Sequence, residues 1–493
     1  MTQRAPRRCV IVGGGISGLA AAHRLAERCR EAQQPLAITV VEAQERFGGL
    51  LDTQRRDGFL LEGGADAFVS DKPWAAALCE RVGLGGELVP TEAACRRSFL
   101  VWRGRLAAVP EGWALFAPAR LAALWRMPAF SWRGKLRAAC EPFIPPSRDG
   151  AEESLSQFVR RRCGREALER VAQPMLSAIY AADPDGVSLH ATMPQWLELE
   201  QRYGSLWRGL RARARAPRGA QEASGPRYGV FLTLRGGLGR LVERLIERMP
   251  EVTLRGSATV KEIQRGERWT LRLADGEQLE AEALCLALPG PHAAALLQSC
   301  APELAARLAQ MPYASVATVN VGLRRDEVAH PLDGFGFVVP RLERRRLLGC
   351  TFSSVKFPGR APQASVLLRA FVGGALQPDL MALDDEALVR VVLEELRDLV
   401  GLRAIPRLIA VSRYERAMPH YPVGHGARVE AIEASARRYP GLALIGNGYH
   451  GIGIPDCVHH AEETAERIFL DLEALPQPPP LSDAATASRH NGR

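Results

Sequence analysis

The apolar residues of this 493-residue chain fall into two repeating patterns, and the switches between them divide it into units. Residues 8–12 (RCVIV) are almost uniformly apolar, as in a short strand buried on both faces. Three glycines follow at once, and then an alanine-rich stretch with helical spacing runs to about Arg30. Residues 36–42 (LAITVVE) predict a second buried strand that ends in an acid. The whole has the length of a strand–helix–strand unit with parallel strands. FGGLLDTQRRDGFLLEGGADAFV reads as loop and short strands, and residues 72–83 as an amphipathic helix.

From about Arg96 to Arg213 the helical period dominates, broken by Pro110, Pro118, Pro128, Pro142, Pro145 and Pro146, which predicts a helical insertion. Residues 211–226 (RARARAPRGAQEASGP) are basic and then rich in small residues, and predict an exposed loop. FLTLRGGLGRLVERLIERMP restarts a turn and helix. Several strands joined by hairpin-like turns then run to about residue 289, residues 313–372 are strand-rich, and 384–400 form an amphipathic helix. LALIGNGYHGIGIPDCVHHAEETAERIF returns to strand, glycine turn and helix, the helix starting near Pro455. The terminal PQPPPLSDAATASRHNGR has no means of building a core.

Composition adds limits. A hydrophobic content of 47% and a charged content of 24% are those of an ordinary globular protein, long enough for two or three domains. The net charge of +9 comes mostly from arginines spread along the chain, which weighs against nucleic acid as a partner. It suits an anionic membrane surface or an acidic substrate. Ten cysteines show no CxxC pair and no Cys/His ligand spacing, so no metal site is expected. Cys9, Cys285 and Cys457 sit in apolar runs, as small buried hydrophobes in a reducing cytosol do. No secretory signal and no run of 18 apolar residues is found, so the expectation is a cytoplasmic protein that does not span a bilayer.

Gly13-x-Gly15-x-x-Gly18 between strand and helix sets backbone N–H groups and a positive helix end against a pyrophosphate. Glu42, 24 positions beyond Gly18, stands where ribose hydroxyls are received, which favours FAD or NAD over NADP. Arg46, Gly48 and Gly49 bring a cation and a second glycine pair back over the phosphates, a feature of flavoproteins more than of NAD dehydrogenases. At the far end Gly446, Gly448, Gly451 and Gly453 precede a helix whose N-terminus can face the flavin N1/O2 edge.

With these residues in place the sequence resembles the oxygen-dependent protoporphyrinogen oxidase family (protoporphyrinogen and coproporphyrinogen III oxidases) of the amine-oxidase-like FAD superfamily. Besides the two glycine ends, the matching blocks are EGGADAFVSDKP, FVRRRCGREALERVAQPMLSAIYAADP, PLDGFGFVVP, LGCTFSSVKFPGRAP, FVGG and YPVGHGARV. The resemblance implies an α/β (α+β) fold with three parts. These are a Rossmann-like FAD domain from residues 1–92, 228–291 and 441–473, a helical, membrane-associating domain over 93–210, and a mixed-sheet substrate domain over 292–440. Residues 211–227 are expected to be a flexible loop and 474–493 a disordered tail.

It further implies noncovalent FAD, held by Gly13, Gly14, Gly15, Ser17, Gly18, Glu42, Ala43, Arg46, Gly48, Gly49, Gly64, Ala65, Asp66, Val260, Gly446, Asn447, Gly453 and Ile454. The implied activity is the six-electron oxidation of protoporphyrinogen IX to protoporphyrin IX, with O2 as acceptor and H2O2 released. Coproporphyrinogen III oxidation is the alternative; an amine-oxidase-like enzyme of other substrate and a non-catalytic flavin-binding scaffold are more distant ones. No protein acid or base is required, and no catalytic residue is assigned. Arg97, Ala181, Thr351, Phe352 and Phe371 match substrate positions, although Ser98 stands where plant members carry an arginine. His450 either tunes the flavin or is a hydrogen-bonded structural group. Trp113, Phe116, Leu121, Trp125, Phe130 and Trp132 among Arg120, Arg126, Arg133 and Lys135 fit either the core of a helical domain or, as the resemblance favours, a peripheral membrane contact. A homodimer and hand-over of product to a chelatase complete the expected partners.

Overall fold

The computed structural model describes residues 6–95, 97–147, 152–215 and 231–474. At its centre is a five-stranded, all-parallel sheet in the order Thr253–Arg255, Leu36–Val41, Arg7–Val12, Ala283–Leu286, Leu442–Leu444. Alternation decides which layer each side chain joins. Cys9, Ile11, Ile38 and Val40 face the helices Ile16–Ala32 and Ile454–Ala474. Val10, Val12, Val41, Leu284 and Leu286 face the opposite layer. That layer is a three-stranded meander (Val260–Arg265, Trp269–Leu273, Gln278–Ala281) with the helices Gly290–Leu297, Pro302–Ala309 and His425–Ala436. These last three helices fall in the stretch expected to serve the substrate domain, yet their apolar stripes cover the nucleotide-binding sheet.

A second, seven-stranded mixed sheet runs in the order Leu408–Pro419, Tyr313–Arg324, Ser365–Gly373, Gly349–Phe352, Gly336–Val338, Phe99–Trp102, Arg105–Ala108. The last two strands come from the segment expected to be helical, because apolar FLVW pairs in parallel with Gly336–Val338. One sheet face packs on the helix Asp385–Val400, which starts one residue after its expected position.

The helical unit has its own core around Phe116, Phe158 and Trp196. Within it Arg162 is fully buried, paired with Glu141 and donating to the carbonyls of Ile144 (2.7 Å) and Gly204 (3.1 Å). Its final helix, Leu206–Arg215, takes in residues 211–215 of the expected loop, as arginine and alanine alternate without a breaker until Pro217. Residues 216–227 and 475–493 lie outside the described residues. Among the described residues no helix is long and apolar enough to cross a membrane.

Candidate cofactor and substrate site

The first strand delivers the chain to a turn that only glycine can make. Gly13 has φ +107°, and a Cβ there would overlap the Ala287 carbonyl oxygen. A Cβ on Gly18 would overlap the Gly13 carbonyl, so the helix Ile16–Ala32 sits directly on the strand end. Gly15 differs. It begins the helix without a side-chain cap, and its Cβ position meets only Gly49 Cα, at 4.0 Å. Open space over uncapped helix N–H groups is what a pyrophosphate needs.

Glu42 is seated by two main-chain donors, Gly14 N–H (2.8 Å) and Gln44 N–H (2.9 Å), and an ionised carboxylate keeps further acceptor sites. Ala258 N–H donates to the Glu42 carbonyl at 2.8 Å, which brings Val260 to the same end of the sheet. Gly48 N–H donates to the Gly14 carbonyl (2.8 Å), so the second glycine pair does fold back over the first. Ala43 is exposed beside it. Arg46 instead turns to its own loop, donating to the carbonyls of Gly49 (2.7 Å) and Leu51 (2.9 Å). In this arrangement it braces the loop, and its guanidinium is committed to carbonyl oxygens.

The C-terminal glycine turn lies against the same helix, where Ser17 and Cys457 are both buried. Tyr421 Oη receives Gly451 N–H (2.9 Å) and donates to the Asn447 carbonyl (2.7 Å), while Asn447 Nδ2 donates to the Ala417 carbonyl (3.2 Å). Gly446 and Gly451 have φ of +131° and +144°; a Cβ on Gly451 would overlap Asp456. Asp456, in the first turn of the helix Ile454–Ala474 and next to Gly453, binds Lys72 Nζ at 2.6 and 2.8 Å. Cys457 is a free thiol that burial pushes up to about 12, and Cys9 and Cys285 are buried and free as expected.

Between these ends runs Gly63-Gly64-Ala65-Asp66. A Cβ on Gly64 would overlap the Leu50 carbonyl, which accepts Ala65 N–H at 3.0 Å. The mixed sheet holds this segment from its other side. Thr318 Oγ1 donates to the Gly63 carbonyl (2.7 Å), Asn320 Nδ2 to that of Glu62 (3.1 Å), and Arg369 to those of Gly63 (3.1 Å) and Gly64. Lys356 Nζ lies 2.9 Å from Asp66 Oδ2. Burial alone would raise the Asp66 carboxyl; Lys356 and Arg369 outweigh it and hold it down to about 2. Burial pushes Glu62 up to about 7, against the hydrogen bonds from Thr53 and Leu238 N–H. Arg369 Nε and Asn320 Oδ1 are buried with no hydrogen-bond partner among the described residues. The links from Thr318, Asn320, Lys356 and Arg369 were not visible in the sequence, because each joins residues far apart along the chain.

The substrate candidates divide by sheet face. Val366, Leu368, Ala370, Cys350 and Phe352 point to the helix Asp385–Val400. Arg369, Phe371 and Thr351 therefore point the other way, as do Thr318 and Asn320. Phe352, fully buried between Phe337 and His330, is a core residue. Adjacent strand residues face opposite sides, so Thr351 and Phe352 cannot line one slot together. Phe371 is half-buried, with the Arg369 guanidinium 4.9 Å from its ring centroid. Ala181 ends the helix Gln173–Tyr180 in the left-handed region (φ +52°), and its carbonyl accepts Ala375 N–H at 2.8 Å, just past that strand. Arg97 is exposed and paired with Asp333 at 2.8 Å.

The comparisons with known proteins agree with this geometry. The family of flavin containing amine oxidoreductases matches residues 16–469. The chain belongs to that family. Its cofactor is FAD, which the open cradle at Gly15, the seated Glu42 and the C-terminal glycine turn fit. Coproporphyrinogen III oxidase of Bacillus subtilis (strain 168) is 35% identical over 92% of this chain and 96% of its own length. Chloroplastic protoporphyrinogen oxidase 1 of Arabidopsis thaliana is 31% identical over 93% and 87%. The crystal structure of a candidate protoporphyrinogen oxidase from Exiguobacterium sp. 255-15 superposes with a TM-score of 0.84 at 34% identity, over 95% of this chain and all of that one. This family member is an FAD-dependent oxidoreductase of α/β architecture.

Proposed function

We propose that this flavoprotein oxidises a porphyrinogen to the corresponding porphyrin, with protoporphyrinogen IX as substrate and O2 as final acceptor. The observation that carries the reading is the placement of Thr351 and Phe371 on the sheet face that holds Gly63–Asp66. An apolar ring laid on that face meets the segment that connects to the phosphate turn. Bound FAD supplies the two-electron acceptor. The pyrroles flanking a meso carbon stabilise the cation left behind, so the chain's task is to hold the macrocycle and exclude water. Phe371 and Ala181 serve as flat and small contacts in this reading, and Asp66, ionised under its two cations, keeps the Gly63–Gly64 backbone fixed. Arg97 is the candidate for a propionate, exchanging Asp333 for the substrate carboxylate.

A second reading, coproporphyrinogen III as substrate, is favoured by one observation: the bacterial relative of that name is 35% identical, against 31% for the chloroplastic protoporphyrinogen oxidase. Supplying purified holoenzyme with each porphyrinogen and following porphyrin fluorescence decides between them. A flavin that neither compound bleaches under anaerobic conditions rejects both.

The helical unit supports a peripheral membrane contact within the same proposal. Trp132 (67% exposed) projects from it beside Arg133 and Lys135 and Phe143 (82%) is exposed on the same unit, whereas Trp113, Phe116 and Phe130 of the expected aromatic set are buried in its core. Such aromatic–cation pairs suit the headgroup region. A flat apolar product would leave into lipid there or pass straight to a chelatase.

A further inference from the structure

Behind the C-terminal glycine turn, three side chains from three elements converge. Glu433 comes from the helix His425–Ala436, His450 from the turn itself, and His460 from the helix Ile454–Ala474. One carboxylate oxygen and one ring nitrogen of each histidine lie within 4.8 Å of one another. His450 Nε2 is 2.6 Å from Glu433 Oε1, and the two imidazole rings are 4.5 Å apart between centroids. His460 Nδ1 is buried without a hydrogen-bond partner among the described residues, an exception in folded proteins. The neighbouring His459 is committed elsewhere, stacked on Trp74 at 3.9 Å. Arg437 lies 3.7 Å from the second oxygen of Glu433 and steadies that end of the carboxylate.

We propose that Glu433, His450 and His460 bind one divalent transition-metal ion of the zinc type, with a water in the remaining position. Two imidazoles and a carboxylate are a donor set that zinc accepts, and an incomplete protein shell leaves a coordination site open. The ligands are 17 and 10 residues apart on separate elements, so no spacing motif announces them, and the cysteine pattern is silent on them. His450 is exposed and free to adjust, which lets the donors close around an ion from their present separation. Bound there, the ion ties two helices together across the turn whose opposite side belongs to the cofactor site. It takes no part in the oxidation.

The test uses untagged holoenzyme, stripped of metal by a chelator and titrated with Zn2+ in a calorimeter. The expected result is one ion per chain and a rise in melting temperature. Glu433→Gln, His450→Gln and His460→Gln should each weaken binding by at least about ten-fold. The His459→Gln control keeps wild-type affinity. Retained flavin absorbance in each metal-free variant shows that it has folded. The absence of saturable binding, or affinity unchanged in all three variants, overturns the proposal, and either result leaves the porphyrinogen reading untouched.

Discussion

Lys356 Nζ meets Asp66 Oδ2 at 2.9 Å across 290 residues of chain, directly beside the two glycines that the mixed sheet grips. Asp66 is held down to about 2 when folded, so its contribution to stability is complete above the ordinary carboxylate range and is lost as pH falls from about 4 towards 2. That contribution is on the order of 2 kcal/mol. Asp66→Asn strands two cations and should cost on the order of 3 kcal/mol at pH 7. Denaturant unfolding at pH 7 and pH 3 checks this: the gap between wild type and variant must shrink at the lower pH.

Gly15 and Gly18 separate cofactor binding from folding. Gly15→Ala adds a methyl into open space, so the variant should fold with a near-normal melting curve yet fail to retain FAD. Gly18→Ala drives a methyl into the Gly13 carbonyl and should lower stability together with yellow colour. Circular dichroism and flavin absorbance on the same samples distinguish the two. A Gly15→Ala protein that keeps its flavin would contradict the assigned phosphate position.

The two phenylalanines expected together in the slot should behave differently. Phe352→Ala opens a cavity in the core and should cost about 3–5 kcal/mol. Phe371→Ala lies on the opposite face and should lower kcat/KM for the porphyrinogen with little change in stability. Steady-state kinetics beside chemical denaturation reads both effects. Equal loss of stability in the two variants counts against the face assignment.

Replacing Trp132 and Phe143 by serine should abolish co-sedimentation with anionic vesicles while leaving turnover of a detergent-dispersed porphyrinogen intact. The wild-type attachment should weaken with salt, since Arg133 and Lys135 flank Trp132. Salt-independent binding would argue against this patch.

The nucleotide-binding ends were legible because local chemistry dictates them. Only glycine takes φ +107° at position 13, and strand, turn and helix follow one another without interruption. Partition of the middle was harder to read. Residues 99–102 pair with 336–338, more than 200 positions away, and 105–108 fold back on them, while the helices 290–297, 302–309 and 425–436 have apolar stripes whose destination, the parallel sheet rather than the mixed one, no local pattern announces. Of the aromatic candidates Phe352 fell away for a related reason. Thr351 and Phe352 both fit the matched pattern, but strand alternation allows only one of them onto the substrate face. The ion pairs Lys356–Asp66 and Lys72–Asp456 had no local signal at all.

The parallel sheet draws its five strands from residues 7–12, 36–41, 253–255, 283–286 and 442–444. The sheet cannot be finished until residues 442–444 and the helix Ile454–Ala474 that covers it have left the ribosome. Every pairing beyond the first two strands must also close a long loop before it is rewarded. Prosthetic-group capture therefore waits for the segment 442–474 to be made. A chain stopped before residue 454 would lack the helix Ile454–Ala474 and with it one wall of the flavin cradle, whatever the quality of the residues that remain.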